Sequence, residues 1–367
     1  MQSHPVNWDE IRSHYPLVAN KIYFNTASLG AMSKETIDAQ HEVLRKLHEE
    51  GANLFPEAQA AAEKLRNDFL TLTDADEHQA AIIPDVSTAM NQLVENLADY
   101  KKVAVLEGDF PSMTMPWLDR DFSLSWIKKS VEGYQLEAIQ KVLEDGVDIL
   151  SMSWVIYNSG QMMDIEAIAR LCKATDTIFI LDVTQGLGVN PLSLKDIPVD
   201  VVVCSCFKWF LSGYGIGMII ATNDFVRKQP FLLAGQSAVK DIEVSVLDPD
   251  NIHSGIRRME LGHIKHQQVL ALAQSFGELA SIGFEAIQER VAYLMGLLVS
   301  QFERHHIKVL TPTPRSNNII MIEATPDRLA KLEKSQISCT NRNGVIRFSP
   351  YFYNNERDIE QLIDGLK

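Results

Sequence analysis

The feature of the sequence that most restricts its fold is a regular alternation of short β-rich runs with helical segments between residues 80 and 218. Strands that alternate with helices build βαβ units and a mainly parallel sheet. The direction of the last strand is left open, because one sequence does not fix strand directions. The predicted strands are Ala81–Ile83, Val103–Leu106, Ile149–Val155, Ile178–Asp182, Val201–Cys204 and Ile216–Ile220.

Helical spacing of apolar residues predicts further elements on both sides of this region. One helix covers residues 34–50 and ends at Gly51, a second covers 58–72, and two more lie within 261–302 and are separated at Gly283. The remaining residues predict a compact α+β unit, with strands near 308–310, 318–323 and 345–349 and helices near 327–334 and 355–366. We therefore divide the chain into an N-terminal arm (1–28), a large domain (29–260) and connecting helices with a small C-terminal α+β domain (261–367).

The composition excludes several classes of function. With 367 residues, 46% hydrophobic and 22% charged, the chain is typical of an ordinary globular protein. Its net charge of −14 argues against nucleic acid and anionic membrane surfaces as partners. No apolar stretch reaches the roughly 20 residues of a membrane span, and residues 1–10 carry no signal-peptide core. The four cysteines show neither metal-ligand nor disulfide spacing, so we expect no metal site and a cytoplasmic protein.

Two charged residues stand at the carboxyl ends of two predicted strands. Lys208 follows the run Val201–Cys204, and Asp182 ends the run Ile178–Asp182. Ligands of open α/β sheets bind outside the carboxyl ends of the strands, so we expect both side chains in one cleft. A lysine that forms a Schiff base and an aspartate that keeps a pyridine nitrogen protonated are what pyridoxal 5'-phosphate (PLP) chemistry requires.

The turn after Asp182 has a plainer explanation as well. An aspartate that ends a strand often caps the next turn through the backbone, and only the pairing with Lys208 favours a cofactor site. Gln185, three residues further on, would reach the ring hydroxyl of the cofactor. The alternative for Gln185 is a solvated turn residue.

The segment Pro84–Asn91 predicts a strand-to-helix turn that could seat a phosphate group. Ser87 or Thr88 can cap the helix, and unpaired N–H groups at its start would cradle the phosphate. Simple helix capping is the alternative. The presence of Lys208 favours the phosphate site over this alternative. Ser205, three residues before the lysine, is a further candidate for the phosphate contact. The turn lacks a glycine fingerprint, which disfavours a dinucleotide-binding dehydrogenase.

Three more residues are candidates because of their positions in apolar surroundings. Phe110 follows a strand end and could stack on a pyridine ring, although most phenylalanines are simply core. Arg347 interrupts an apolar strand and needs a partner there, either a substrate carboxylate or a structural salt bridge. Arg342 is a second candidate for binding the carboxylate.

Taken together, these residues resemble the class V aminotransferase and cysteine desulfurase family, which has fold type I of the PLP-dependent enzymes. The resemblance runs from Tyr23 to the C-terminal helix and is strongest between Leu181 and Gly217, where Asp-x-x-Gln and Ser-x-x-Lys precede a glycine-rich turn. It implies an α/β fold, with a large domain built on a mainly parallel, seven-stranded-type sheet flanked by helices and a smaller α+β C-terminal domain.

The resemblance also implies roles for the matching positions. Lys208 would be the Schiff-base lysine and proton shuttle, with Asp182 at the pyridine nitrogen and Gln185 at the ring oxygen. Asn158 would lie near the cofactor oxygen and the substrate, whose α-carboxylate Arg347 would bind. The phosphate contacts and the stacking ring would be Ser87, Thr88, Ser205 and Phe110.

Members of this family are homodimers whose cofactor sites lie near the subunit interface, which implies that His263 reaches the partner's phosphate. Relatives commonly have threonine at that position, and often have histidine where this chain has Phe207. The cysteine-bearing loop of the desulfurases is missing, because only seven residues separate Cys339 from Arg347. This segment predicts a short strand–turn–strand, which makes Cys339 a poor persulfide nucleophile.

The leading hypothesis is therefore a PLP-dependent aminotransferase that acts on a small amino acid and a keto acid. The runner-up is a PLP-dependent lyase or cysteine desulfurase that cleaves a C–S bond. An epimerase or a kynureninase-like hydrolase fits the same residues less readily. A non-catalytic PLP-binding relative is disfavoured, because a pure binder does not need Lys208, Asp182 and Arg347 together.

Overall fold

The computed structural model describes residues 6–118, 120–229, 231, 235–241 and 248–367. Its strands, numbered in chain order, are β1 Ile22–Tyr23, β2 His78–Ile83, β3 Lys102–Leu106, β4 Ser123–Ile127, β5 Ile149–Ser153, β6 Ile178–Asp182, β7 Val201–Ser205, β8 Gly217–Thr222, β9 Ile320–Glu323, β10 Ile337–Ser338, β11 Thr340–Arg342 and β12 Val345–Phe348. Its α-helices are α1 Trp8–Ser13, α2 Pro16–Asn20, α3 Lys34–Arg45, α4 Phe55–Leu72, α5 Val86–Asn96, α6 Pro111–Leu118, α7 Leu136–Glu144, α8 Ile165–Ala174, α9 Asn223–Lys228, α10 His266–Ile282, α11 Phe284–Arg304, α12 Pro326–Lys334 and α13 Glu356–Asp364.

The central feature of the described residues is a seven-stranded sheet in the order β2-β8-β7-β6-β5-β3-β4. Strands β7, β6, β5, β3 and β4 run parallel, whereas β8 runs antiparallel to both of its neighbours. The predicted parallel sheet is confirmed, and the open direction of the last run is settled as antiparallel. The edge strand β4 was not predicted, because its sequence Ser-Leu-Ser-Trp-Ile lacks the continuous apolar run of the central strands, and Trp126 stays exposed.

Both faces of this sheet are covered, which explains why its central strands are apolar throughout. Leu150, Leu181 and Val202 pack into one core cluster, and Ile180 and Val203, on the opposite face, pack into another. The strand ends at the carboxyl edge are therefore held rigidly from both sides.

The predicted helices that flank the sheet are confirmed. Helix α3 continues as a π-helical turn, Lys46–Glu50, and ends at Gly51, while α4 starts three residues before the predicted position. Helices α10 and α11 are separated at Gly283, whose φ of 94° ordinary side chains rarely adopt. In the part of the chain that the structure describes, no helix is long and apolar enough to cross a membrane.

A smaller sheet, β11-β12-β9, forms near the C-terminus and is antiparallel. The strand predicted near Val309 is reduced to a single bridge to Ile322. The predicted N-terminal arm contains α1, α2 and β1, and it packs on the C-terminal region, where Arg12 makes two hydrogen bonds of 2.7 and 2.9 Å to Asp358. The domain boundaries stay a prediction.

Candidate active site

Lys208 lies just beyond β7, at the carboxyl edge of the seven-stranded sheet. Its side chain is buried, and no hydrogen bond or ion pair joins its Nζ to any described residue. The nearest groups are two rings, since Nζ lies 5.4 Å from the centroid of Phe110 and 5.3 Å from that of Phe207. Burial lowers the pKa of Lys208 to about 8, against an opposing electrostatic effect of Asp182. The lysine is thus a buried amine that is easily made neutral.

Asp182 ends β6, and its Cα is paired with Val203 of the neighbouring strand β7. The carboxylate is buried, and its Oδ1 accepts the backbone N–H of Thr184 at 2.8 Å. The predicted turn-capping role is therefore real, and the side chain of Thr184 also donates a hydrogen bond to this carboxylate. Burial raises the pKa of Asp182, while Thr184 and Lys208 act in the opposite direction.

Lys208 and Asp182 line the same cavity, which has a volume of about 260 Å³ and which we call the inner cavity. Lys208, Asp182 and Gln185 lie along its wall. Its other polar lining residues are Asp85, Ser87, Ser112, Ser153, Tyr157, Thr184 and Ser205. The expectation that two strand ends deliver the lysine and the aspartate to one cleft agrees with this placement.

The start of α5 also borders the inner cavity, but its cap differs from the prediction. The N-cap is Asp85, whose carboxylate accepts the backbone N–H of Thr88 at 2.8 Å and its hydroxyl at 2.9 Å. The prediction that Ser87 or Thr88 caps this helix is wrong, because Asp85 precedes both and already takes the N–H group. Ser87 instead shares a hydrogen bond of 2.6 Å with Ser112 and lines the cavity, as does Ser205, whereas Thr88 does not line it.

Gln185 is buried rather than solvated, so the alternative of a solvated turn residue is wrong. Its Nε2 donates to the carbonyl of Ala27 at 3.0 Å, and its Oε1 accepts the indole N–H of Trp209 at 3.0 Å. These contacts fix the orientation of the amide and leave its second Nε2 hydrogen free of hydrogen bonds to the described residues.

A second cavity of about 430 Å³, which we call the outer cavity, adjoins the first. The two share Phe110, Tyr157, Gln185, Phe207 and Lys208. Asn158 lines the outer cavity, so the structure brings it close to the lysine, as predicted from the family resemblance.

Arg347 lines the outer cavity from β12 and is held by neutral groups. Its guanidinium donates to the carbonyl of Tyr157 at 2.6 Å and to the hydroxyls of Ser28 at 2.7 Å and Thr340 at 3.2 Å. Among the described residues it forms no ion pair, which removes the structural salt bridge as its explanation. Its Nε is buried without a partner, and burial together with Arg342 lowers the pKa of Arg347 to about 10.

The two remaining candidates are both exposed, but only one of them lines a cavity. Arg342 is exposed but lines the outer cavity. His263 is exposed and lines neither cavity within this chain. The structure therefore brings together the predicted residues except Thr88 and His263.

Sequence reasoning missed three residues that line the cavities, Tyr157, Thr184 and Lys129, and the buried Asp109, which lies directly before Phe110. Asp109 is buried and accepts three hydrogen bonds of 2.7–2.8 Å, two from Ser153 and one from the backbone of Phe110. Burial raises the pKa of Asp109 to about 6. The signal in the sequence that could have identified Asp109 was its position at the end of a strand, directly before Phe110. Lys129 follows the unpredicted strand β4, so no pattern pointed to it.

The polar groups of the two cavities fit PLP. The cofactor needs an amine for its aldehyde, an acid for its ring nitrogen and donors for its phosphate. Lys208 offers an unpaired buried amine, Asp182 lines the same cavity with a buried carboxylate, and Ser87 lies in the first turn of α5. Asp85 occupies the Thr88 N–H, so the phosphate would have to be held by the remaining donors at this end of the cavity.

Comparisons with known proteins agree with this assignment. The family model "Aminotransferase class-V" matches residues 22–362. The chain is 25% identical over 371 residues to an uncharacterized aminotransferase, YcbU, of Bacillus subtilis, and the match covers 98% of this chain and 97% of the relative.

Solved structures show the same fold. The apo cysteine desulfurase of Thermococcus onnurineus NA1 superposes with a TM-score of 0.84 at 19% identity and covers 99% of this chain and 98% of its own. A complex of the cystine C-S lyase C-DES with cysteine persulfide superposes with a TM-score of 0.83 at 16% identity, covering 96% and 98%. The chain belongs to the aminotransferase class-V family and is a PLP-dependent enzyme.

Proposed function

We propose that this protein is a PLP-dependent aminotransferase that acts on a small amino acid and passes its amino group to a keto acid. The observation that carries the proposal is the unpaired buried amine of Lys208, which shares the inner cavity with Asp182. A buried cation without a partner is unfavourable for folding, so its presence requires a functional explanation.

When bound, PLP supplies an electron sink that accepts the electrons released as a bond at the substrate Cα breaks. Asp182 holds the proton on the ring nitrogen, which makes this sink stronger. Lys208 binds the cofactor and then moves the proton at Cα, a task for which a base with a pKa of about 8 is well matched. Gln185 donates its remaining Nε2 hydrogen to the ring oxygen.

The other cofactor contacts are proposed from their positions along the inner cavity. Ser87 and Ser205 hold the phosphate at the start of α5, with Thr88 behind them in the same turn. Phe110 provides a flat face against the ring, and its edge-to-face contact with Tyr157, at a centroid distance of 5.2 Å, keeps it in place.

The α-carboxylate of the substrate is assigned to Arg347, with Asn158 beside it. The supporting observation is the buried Nε of Arg347, which has no protein partner and would be satisfied by a carboxylate. Ser28, Thr340 and the carbonyl of Tyr157 orient the guanidinium before the substrate arrives.

The reaction has two halves, and this gives a kinetic test. The amino group of an amino acid would pass to the bound cofactor, with consumption of one water and release of a keto acid, and would then pass to a second keto acid with release of one water. Initial rates measured against both substrates should give parallel double-reciprocal lines. Intersecting lines would show that both substrates bind together and would exclude this mechanism.

A C–S lyase or cysteine desulfurase is the second candidate, because solved structures of both activities share the fold. A persulfide route through Cys339 is disfavoured, since burial raises the pKa of its thiol to about 11 and the β11–β12 hairpin follows directly. Release of sulfide from cysteine, or of cysteine persulfide from cystine, together with pyruvate and ammonia and retained in Cys339→Ala, would favour a lyase. A keto acid formed without sulfide, persulfide or free ammonia would favour the aminotransferase.

We also propose that the enzyme is a cytoplasmic homodimer, with His263 near the partner's cofactor. Exposed apolar side chains at Leu44, Leu47 and Phe55, around the end of α3 and the start of α4, support a subunit interface there. The four cysteines are free, as expected in a reducing compartment. Sedimentation equilibrium tests the dimer, and a monomer at micromolar concentration would contradict it.

A further inference from the structure

The outer cavity is lined by basic side chains, with no acidic side chain among the described residues that line it. Lys129, Lys208, Arg342 and Arg347 all contribute to its wall. The whole chain has 48 acidic and only 34 basic residues. The positive charge is therefore a local property of this cavity, opposite in sign to the protein as a whole, and it selects for anions.

One face of the small sheet presents most of this charge. Thr340 is paired with Arg347, and Arg342 is paired with Val345, so these four residues lie on the same face of the β11–β12 hairpin. All four line the outer cavity. Arg342 and Arg347 are thereby presented to the same space by strand register.

The turn of the hairpin fixes this register. Asn343 and Gly344 connect β11 to β12 and have φ angles of 53° and 78°. Two successive positive φ values are typical of the two-residue turns that join the strands of a hairpin, and Asn-Gly is the sequence that such turns favour. Arg342, directly before the turn, is therefore held at the mouth of the cavity by a rigid element.

Arg342 and Lys129 differ from Arg347 in what they contact. Arg347 is anchored by Tyr157, Ser28 and Thr340, whereas no hydrogen bond or ion pair joins Arg342 or Lys129 to any described residue. Arg342 also repels Arg347 electrostatically. Several positive charges that face one cavity without a counter-ion can bind more than one anionic group.

We propose that the substrate carries a second anionic group on its side chain, which Arg342 and Lys129 bind while Arg347 takes the α-carboxylate. The substrate class is then an acidic amino acid together with its keto acid. This inference rests on the proposed function, since it names the substrates of the same site. A carboxylate, a sulfonate and a phosphate share the required chemistry, and the experiment separates them.

The test uses the purified holoenzyme and matched pairs of amino acids that differ in side-chain charge. The rate of the cofactor absorbance change is measured with glutamate and glutamine, aspartate and asparagine, cysteate and cysteine, and phosphoserine and serine. In at least one pair the acid should react about 10-fold or more faster at subsaturating concentration, because a charged hydrogen bond is lost in the neutral member. The pair with the largest ratio identifies the anionic group.

Two variants and a control assign the preference to residues. Arg342→Gln and Lys129→Met should each lower the acid-to-neutral ratio of that pair, by about 10-fold for the arginine. Lys128→Met is the control, because Lys128 is an exposed neighbour that lines neither cavity, and it should leave the ratio unchanged. Equal rates within every pair, or a ratio unaffected by both variants, would overturn the inference.

A binding measurement separates this inference from the proposed function. Glutarate and its monoamide lack an amino group and cannot react, so calorimetry with the holoenzyme reports recognition alone. Glutarate should bind about 10-fold more tightly than the monoamide, and Arg342→Gln should remove the difference. If no amino acid changes the cofactor absorbance, the aminotransferase proposal fails even where glutarate binds. If amino acids react but the two members of every pair react equally, and glutarate binds no more tightly than its monoamide, only the second anionic group fails.

Discussion

Arg66 with Glu260 and Lys208 with Asp182 are both buried pairs of a cation and a carboxylate, but only the first pair is joined by hydrogen bonds. Arg66 donates to both oxygens of Glu260, at 2.9 and 2.8 Å, and Glu260 also accepts the backbone N–H of Ile82 at 2.7 Å. Lys208 and Asp182 share a cavity without any such contact to each other. The protein can therefore build a satisfied buried ion pair, yet it leaves the groups at the end of β6 and β7 apart.

This difference separates a structural pair from a functional one. A buried ion pair stabilises only when its hydrogen bonds replace those lost to water, as they do for Arg66. Lys208 and Asp182 make no hydrogen bond to each other, and burial displaces their pKa values towards the neutral forms. Groups kept in this state lower the stability of the folded protein and are ready to react with a ligand.

The largest expected effect comes from Lys208→Met, which removes the amine and keeps an apolar side chain of similar length. Turnover should fall by at least about 10³-fold, because both cofactor attachment and proton transfer are lost. The cofactor-free variant should be more stable at pH 7, by up to about 3 kcal/mol, since the pKa of Lys208 is about 8 in the folded chain and 10.5 in the unfolded one. Steady-state assays and urea unfolding measure the two effects, and a variant that is both active and less stable would contradict the comparison.

Arg66→Met should give the opposite result. Glu260 would be left buried without its main partner, which costs about 3–5 kcal/mol in the free energy of unfolding. Turnover per folded molecule should stay close to wild type, because Arg66 does not line either cavity. The control is Arg170→Met, which breaks an exposed ion pair with Glu166 and should cost less than about 1 kcal/mol. If Arg66→Met and Arg170→Met lost a similar free energy of unfolding, the distinction between buried and exposed ion pairs would not hold.

The smallest effect is a shift along the pH axis. Because only the neutral amine of Lys208 would react with the cofactor aldehyde, incorporation of PLP into the cofactor-free protein should speed up as pH rises, reach half its maximum near pH 8 and level off above that pH. The sign follows from burial, which lowers the pKa of a lysine. Stability of the cofactor-free protein should also rise between pH 8 and 10.5, where the unfolded chain binds more protons than the folded one. Absorbance after mixing measures the rate, and a rate that keeps rising beyond pH 10 would show an unperturbed lysine.

Most of the fold was predictable because it depends on local patterns. The central strands are apolar on both faces, and Gly51 and Gly283 end helices that have clear apolar spacing. The edge strand β4 was missed because Ile127 is its only fully buried residue, so the strand lacks a strong apolar signal. The direction of β8 depends on pairing between distant segments, which no local pattern encodes.

The site was predictable where chemistry follows directly from a strand end, as it does for Lys208 and Asp182. Three polar residues within four positions made the cap of α5 ambiguous, and Asp85 rather than Ser87 or Thr88 takes that role. Lys129 reaches the outer cavity only through tertiary packing. The contacts that orient the Gln185 amide come from Ala27 and Trp209, which are distant in sequence, so its burial could not be read locally.

The central claim is that Lys208 is the residue to which the cofactor is attached, and peptide mapping after chemical trapping tests it most directly. The holoenzyme is treated with borohydride, digested, and analysed by mass spectrometry for a lysine that carries the reduced cofactor. We predict a single modified peptide that contains Lys208, and no modification in Lys208→Met. Attachment to another lysine, such as Lys129 in the outer cavity, would contradict the assignment of the site.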